Sequence, residues 1–452
     1  MIHKYKMNGH NIVLDVNGGS VHVFDDISYD VLDYYKDLSA DEIVDKLSQY
    51  PEESVRDSIK EIGELEKANM LFSSDDYLHI EDFKKREPVL KAMCLHVVHD
   101  CNLKCEYCFA SQGDFGGHKA YMTEEVGKKA LKYLVDNSGS RKFLEVDFFG
   151  GEPLMDFDLV KKLVKYGNEI AEEKGKKFRF TITTNGVLLD DDKIDFINEN
   201  MHNVVLSLDG RKSVNDNMRK TLNDKGSYDL IVPKFQKLIK GRKGKYYYVR
   251  GTFTKKNLDF SEDVKHFKDL GFELSSIEPV VDSDYDDYAI TKEDLDTVLN
   301  EYEKLAVDYA KDQVNGSNFK FFHFMVDLTQ GPCVIKRMQG CGAGCEYVAV
   351  TPEGDIYPCH QFVGNEKFKM GNILDENLTL PEDMREEFLN CHVFTKEDCK
   401  NCWCKFYCSG GCHANAYNFN NDIYKPYELG CAMQKKRTEC AIMVEVEKML
   451  NA

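Results

Sequence analysis

The chain is 452 residues long and weighs 52.0 kDa, so it has room for two or three domains and for a core that folds without covalent staples. Hydrophobic residues make up 42% and charged residues 30%, which excludes a mostly disordered or collagen-like chain. Acidic residues outnumber basic ones 78 to 59, and a net charge of -19 repels a polyphosphate partner, so nucleic acid is excluded as substrate.

No window approaches the roughly 18 uninterrupted apolar residues of a membrane span. The start, Met1-Ile2-His3-Lys4-Tyr5-Lys6, lacks the apolar stretch of a secretory signal. These features predict a cytoplasmic protein with no membrane partner.

Residues 1–80 open with three short alternating runs, Lys4 to Met7, Asn11 to Val16 and Ser20 to Phe24, parted by Asn8-Gly9 and Asn17-Gly18-Gly19. This pattern predicts a small meander. Three helices follow: Tyr29 to Lys36, Ser39 to Gln49 behind the capping box Ser39-Ala40-Asp41-Glu42, and a longer one from Pro51 with Val55, Ile59, Ile62 and Leu65 on one face. A β3α3 unit of this size resembles the winged-helix-like peptide-recognition domain that precedes many enzymes modifying ribosomally made peptides. The segment holds 17 Asp and Glu against 7 Lys and Arg, the wrong sign for a DNA-reading winged helix. Holding an extended peptide by strand addition at a sheet edge is the functional expectation, and a structural cap is the plain one.

After a linker at 81–92, residues 93–315 alternate strands with longer helices. The strands are Cys94 to His99, Leu144 to Phe149, Phe178 to Thr183, Val204 to Leu208, Tyr246 to Thr254 and Leu274 to Val281. Six β/α units predict an α/β fold with a parallel sheet, doubly wound or a partial barrel, and ligands at the C-terminal ends of the strands. Residues 316–452 are rich in Cys, Gly and Asn and weakly periodic, as expected where metal ions replace an apolar core.

Sixteen cysteines are many for a cytosolic chain, where thiolate ligation of metal is a better expectation than disulfides. Four of them, Cys94, Cys101, Cys105 and Cys108, lie close together, and the other twelve all follow residue 332. Cys101-Asn102-Leu103-Lys104-Cys105-Glu106-Tyr107-Cys108 is a CxxxCxxC loop just after the first barrel strand. A structural zinc site wants four ligands, so three thiolates point to a site with one open position, and on a [4Fe-4S] cube they leave one iron free.

This loop resembles the cluster motif of the radical S-adenosylmethionine (SAM) enzymes, and the likeness extends through the barrel. It implies a partial (β/α)6 TIM-type barrel in which Cys101, Cys105 and Cys108 hold a catalytic [4Fe-4S] cluster that cleaves SAM to a 5'-deoxyadenosyl radical. Gly150-Gly151-Glu152-Pro153 matches the family's GGEP motif, which contacts the methionyl amino group of SAM. Thr183 and Asn185 after the third strand, and Ser207 and Asp209 after the fourth, resemble positions lining the SAM ribose and methionyl groups. Arg219 resembles the arginine that pairs with the SAM carboxylate. Tyr107 takes the aromatic position beside adenine.

The C-terminal segment has a second resemblance. Cys399-x2-Cys402-x5-Cys408-x3-Cys412, the trailing Cys431 and the upstream Gly354-x4-Cys359 are similar to the SPASM domain, which carries two auxiliary [4Fe-4S] clusters. The likeness implies Cys341, Cys345, Cys359 and Cys412 on the first and Cys399, Cys402, Cys408 and Cys431 on the second, three clusters in all. Cys341 lies at a usual distance from Gly354, whereas Cys345 falls just inside the minimum. If only one of that pair ligates, the first auxiliary cluster keeps an open iron for a substrate thiolate. Cys94, Cys333, Cys391, Cys404 and Cys440 are left as spare thiols, with Cys333 and Cys404 near enough to substitute. His99, His360 and His413 flank cysteines and are read as structural.

A peptide holder, a radical-generating barrel and a SPASM module together resemble the maturases of SCIFF peptides, those with six cysteines in forty-five residues. The resemblance implies a thioether synthase that joins a cysteine sulfur to a carbon of another residue in a precursor peptide bound through its leader. An electron donor such as flavodoxin or ferredoxin would serve it. The alternatives are an anaerobic sulfatase-maturing enzyme, which lacks need of residues 1–80, and a non-catalytic electron carrier or scaffold.

Overall fold

The structure is a computed structural model that describes residues 1–75, 87–283, 285–329 and 334–451. The first part of the expected linker, 81–86, and Cys333 lie outside the described residues.

The N-terminal runs form an antiparallel sheet in the order β1 (Ile2–Met7), β2 (His10–Asp15), β3 (Val21–Phe24), with Ile12 opposite Tyr5 on one side and Val23 on the other. Asn8 and Gly9 turn the first hairpin with φ of 49° and 80°, the left-handed pair whose twist matches that of the strands. Helices α1 (Asp26–Val31), α2 (Ala40–Lys46) and α3 (Glu52–Lys67) follow, and Ser39 and Glu42 cap α2 reciprocally as expected. Helix α1 starts before Tyr29 because the Asp25 side chain accepts the Ser28 N–H, and it stops at Val31 rather than Lys36.

Period-two alternation gives this sheet two buried faces. Val13 packs with Val31, Ile43, Val55 and Ile62 of the helices, whereas Tyr5, Ile12, Leu14 and Val16 join the main core. On the β1 side, the Tyr5 hydroxyl donates to the Glu439 carbonyl at 2.9 Å, and the His3 ring stacks on Trp403 at 3.7 Å. The opposite edge is β3, where Val23 is exposed.

The barrel strands are β4 (Ala92–His99), β5 (Phe143–Gly150), β6 (Lys177–Thr184), β7 (Asn203–Ser207), β8 (Tyr248–Phe253) and β9 (Leu274–Pro279), parallel neighbours in that order. Helices α4 (Glu124–Asp136), α5 (Phe157–Glu173), α6 (Asp191–Asn200), α7 (Tyr228–Gly241), α8 (Phe260–Asp269) and α9 (Leu295–Val314) alternate with them. Along β8, buried Val249, Gly251 and Phe253 face the helices, while Tyr248, Arg250 and Thr252 face the lumen. The sheet runs on past both ends of this set, with β10 (Lys320–Phe321) parallel to β9 and β11 (Tyr347–Val350) parallel to β4. The fold is therefore the α/β partial barrel expected, with an open path of hydrogen-bonded strands among the described residues.

The C-terminal segment departs from the expectation of a metal-organised coil. It holds an apolar cluster of its own, with Phe362, Phe368, Phe388, Ala414 and Ile423. It also ends in α10 (Glu428–Leu450), whose Met433, Cys440, Ile442, Met443 and Val446 are buried in the main core with Tyr302, Leu305 and Tyr309 of α9. No helix among the described residues is long and apolar enough to cross a membrane.

Candidate active site

Strand β4 delivers the chain to the Cys101–Cys108 loop at the C-terminal end of the sheet, where parallel β/α folds bind ligands. Residues Leu103–Cys105 pair antiparallel with Arg219–Thr221, and Cys105 faces Arg219 across that ladder. Asp100 Oδ1 accepts the Cys101 N–H at 2.9 Å, and the Leu103 N–H and Asn185 Nδ2 point at Cys101 Sγ at 3.4 and 3.7 Å. Burial pushes the Cys101 thiol up to about 12 and Cys105 up to about 11, the latter pulled back by Arg219. Thiols so raised are protonated at neutral pH, so a bound cation must expel their protons. Among the described residues no three His, Cys, Asp or Glu side chains converge as tightly as a single metal ion requires, and a cube spaces its thiolates more widely. Three thiols on one latched loop fit a [4Fe-4S] cluster with an open corner.

The Gly150–Pro153 turn is stitched to this loop. Gly151 N donates to the Val98 carbonyl at 2.8 Å and Glu152 N to the Asp100 carbonyl at 3.0 Å. A Cβ on Gly151 would lie 2.0 Å from the Asp100 oxygen, and one on Gly150, at φ 122°, would lie 2.2 Å from the Val98 oxygen. The glycines are thus required by close approach of the turn to β4 and the cysteine loop, a packing reason that the motif alone did not reveal.

Glu152 is buried, and its carboxylate accepts from Leu154 N, Thr184 Oγ1 and Asn185 N at 3.0, 2.8 and 2.8 Å. It therefore anchors the end of β6 rather than reaching into open space, with burial raising its pKa to about 7. Pro153 is buried and opens the short turn that follows. Asn185 is likewise committed: its Nδ2 donates to Asn102 Oδ1 at 2.8 Å and its Oδ1 accepts from Val187 N at 3.0 Å.

Tyr107, Asp209 and Arg219 form one buried network. The Tyr107 hydroxyl lies 2.8 and 2.7 Å from the Asp209 carboxylate oxygens, Arg219 Nη1 donates to that hydroxyl at 2.8 Å, and Thr252 N donates to Asp209 at 3.1 Å. Through its hydroxyl, Tyr107 links the carboxylate to the guanidinium. Burial raises Asp209, with Arg219 opposing. Arg219 Nε is buried without a partner, and Arg219 lines the cavity described next, which fits a carboxylate ligand.

A cavity of about 620 Å³ starts at Tyr107, Phe109 and Arg219, passes Thr183, Ser207 and Arg250, and reaches Cys412, Cys408 and Cys431. It joins the Cys101–Cys108 loop to both groups of C-terminal thiols. Thr183 Oγ1 donates to half-buried Asp147 at 3.2 Å, and Ser207 stands opposite Arg250 in the sheet.

The thiols fall into groups close enough for each one's charge to raise its neighbours. Cys359 is coupled to Cys412 and Cys341, and Cys399 to Cys408, Cys431 and Cys402. Cys341, Cys359 and Cys412 thus lie near one another, as do Cys399, Cys402, Cys408 and Cys431, and Cys345 is buried with its Sγ 3.1 Å from the Arg385 carbonyl. The spare thiols Cys94, Cys391, Cys404 and Cys440 are buried, with Cys391 donating to the Ile423 carbonyl at 3.2 Å and Cys404 beside Thr438 at 3.3 Å. His99 meets His96, His360 meets the Tyr347 hydroxyl and His413 meets the Cys391 carbonyl, all at 3.1–3.2 Å. Sequence reading passed over Arg250, Glu278, His323 and Arg437, although an Arg or Glu at a lumen-facing position of a barrel strand is a signal that alternation alone could have supplied.

Two family matches cover this architecture: the radical SAM superfamily over residues 95–251, and SPASM, an iron-sulfur cluster-binding domain, over residues 341–403. The chain carries a radical SAM domain and a SPASM domain. It is 27% identical over 342 residues to the cysteine-type anaerobic sulfatase-maturating enzyme of Clostridium novyi (strain NT), covering 71% of this chain and 87% of that one. It is 22% identical over 435 residues to the radical SAM cyclopropyl synthase TigE of Paramaledivibacter caminithermalis, covering 90% and 86%. The crystal structure of Streptococcus suis SuiB bound to precursor peptide SuiA shares the fold with a TM-score of 0.56 at 17% identity, covering 95% of this chain and 98% of that one.

Proposed function

We propose that this chain is a maturase that installs thioether cross-links between a cysteine sulfur and a carbon of another residue in a ribosomally made, cysteine-rich precursor peptide. The observation that carries this reading is the N-terminal β3α3 unit docked on α10 with its β3 edge turned outward. An exposed edge of this kind holds a leader by strand addition. The sulfatase-type relative leaves more than a quarter of this chain unmatched, whereas the match to a peptide-bound enzyme at 95% coverage cannot omit a unit of this size.

Cys101, Cys105 and Cys108 would hold the catalytic cluster, Cys341, Cys345, Cys359 and Cys412 the first auxiliary cluster, and Cys399, Cys402, Cys408 and Cys431 the second. When bound, these clusters and SAM supply one-electron cleavage of the sulfonium, removal of a substrate hydrogen and an acceptor for the electron released as sulfur joins carbon. The protein's part is placement: Arg219, held by Tyr107 and Asp209, orients a carboxylate at one end of the cavity, and Cys412 opens onto the other. An electron donor of the flavodoxin or ferredoxin kind would dock outside.

Mass spectrometry of a leader-bearing cysteine-rich peptide after anaerobic turnover tests this. Loss of two hydrogens with one fewer free thiol is the expected product. Conversion of a cysteine to formylglycine would overturn the thioether reading in favour of the sulfatase-maturing one.

A further inference from the structure

Arg250 stands in the lumen of the barrel on β8, opposite Ser207 of β7 and Ser276 of β9, and lines the cavity. Among the described residues its guanidinium forms no ion pair, although its charge reaches Asp147, Glu278, His323 and His360 on four separate elements. Each of those groups has another commitment. Asp147 accepts from Thr183 at 3.2 Å, Glu278 faces His323 at 3.1 Å and Arg437 at 3.6 Å, and His360 meets the Tyr347 hydroxyl. Arg219, the other cation at this end of the cavity, has the Tyr107–Asp209 network for a counterweight, and Arg250 has none.

We propose that Arg250 is the positioning residue for the reacting segment of the peptide, donating its guanidinium fork to oxygen acceptors of that segment, whether main-chain carbonyls or an acidic side chain. The inference rests on the peptide-substrate reading above. Arg250 is exposed and lines a cavity of about 620 Å³ that is open to solvent until a peptide fills it. A peptide that fills the space expels that solvent, and a guanidinium then left without acceptors carries a heavy desolvation cost. Binding is favourable only for a segment that brings oxygens to it, and the planar fork matches two of them at once. The placement suits the chemistry, because Thr252, two residues along the same lumen face, donates its N–H to Asp209 at 3.1 Å. A segment gripped at Arg250 is thereby held beside the Tyr107–Asp209–Arg219 network.

The test compares wild type, R250Q and R250K as reconstituted holoenzymes with a synthetic leader-plus-core cysteine-rich peptide. The readout is the number of modified peptides formed per SAM cleaved, alongside iron content. Loss of one charge-assisted grip predicts a drop of about tenfold to a hundredfold in R250Q, with most of it recovered in R250K and iron content unchanged. Repeating the assay with core Asp and Glu converted to their amides tells which oxygen is held: an unchanged ratio assigns main-chain carbonyls, and a fallen ratio assigns a carboxylate. A wild-type ratio in R250Q overturns the proposal, as does equal loss in both variants accompanied by loss of iron, which would make Arg250 structural. Because any modification of the peptide is counted, the result stands apart from the thioether reading, which a formylglycine product in wild type would overturn by itself.

Discussion

Replacing Gly151 with Ala probes the seam between the glycine turn and the cysteine loop. The new Cβ would sit 2.0 Å from the Asp100 carbonyl oxygen and 2.5 Å from its carbon, where real contacts essentially never fall below 3.0 Å. Both opposing atoms are backbone, so no rotamer relieves the clash, and turn and loop must part by about 1 Å. That movement pulls on the 2.8 Å bond from Gly151 N to Val98 and the 3.0 Å bond from Glu152 N to Asp100, each contributing about 1 kcal/mol. It also reaches the chemistry, because Asp100 Oδ1 holds the Cys101 N–H. A misplacement of about 1 Å at a reacting centre costs on the order of a hundredfold in rate. The assay is 5'-deoxyadenosine formation by reduced, reconstituted protein, with G117A as control, since the nearest atom to that Cβ is 3.4 Å away. Cleavage at the wild-type rate by G151A, with wild-type iron content, would refute the claim that this contact fixes the loop.

Cys412→Ala should stop peptide cross-linking while SAM cleavage continues, because Cys412 lines the cavity and is not part of the Cys101–Cys108 loop; normal product would show that Cys412 is dispensable. Asp147 is raised by burial from 3.8 to about 7, with Thr183 and Arg250 opposing. The folded chain therefore keeps a proton that the unfolded chain releases above its ordinary value, so this group's contribution to stability is greatest at low pH and declines as pH rises toward 7, by on the order of 4 kcal/mol in full. D147N should flatten the fall in stability between about pH 4 and 7, and an unchanged slope in denaturation midpoints would contradict the shift.

How far the sequence reveals the fold depends on whether each element keeps a polar side. Strands β5 to β8, the capping box at Ser39 and the meander at the N-terminus have one face toward a core and another toward polar surroundings or a turn, so period and punctuation betray them, whereas β4 is buried on both faces and stands out as an apolar run. Helix α10 has no such stripe: Cys440, Ala441, Ile442, Met443 and Val444 are buried in succession, and the helical period vanishes. The cysteine runs stand out in the sequence by their spacing alone. The work of Glu152, Asn185 and Tyr107 was not, since each acts through a partner far away in sequence, as in the 102-residue step from Tyr107 to Asp209.

The account depends above all on the Cys101, Cys105 and Cys108 thiols holding a cluster that cleaves SAM. Anaerobic reconstitution of the wild type and of the triple Ala variant, followed by iron analysis and a 5'-deoxyadenosine assay, tests it most directly. The expected result is about twelve iron atoms per chain with cleavage in the wild type, and about eight with none in the variant. A variant that still cleaves SAM, or that keeps the full iron content, would contradict it.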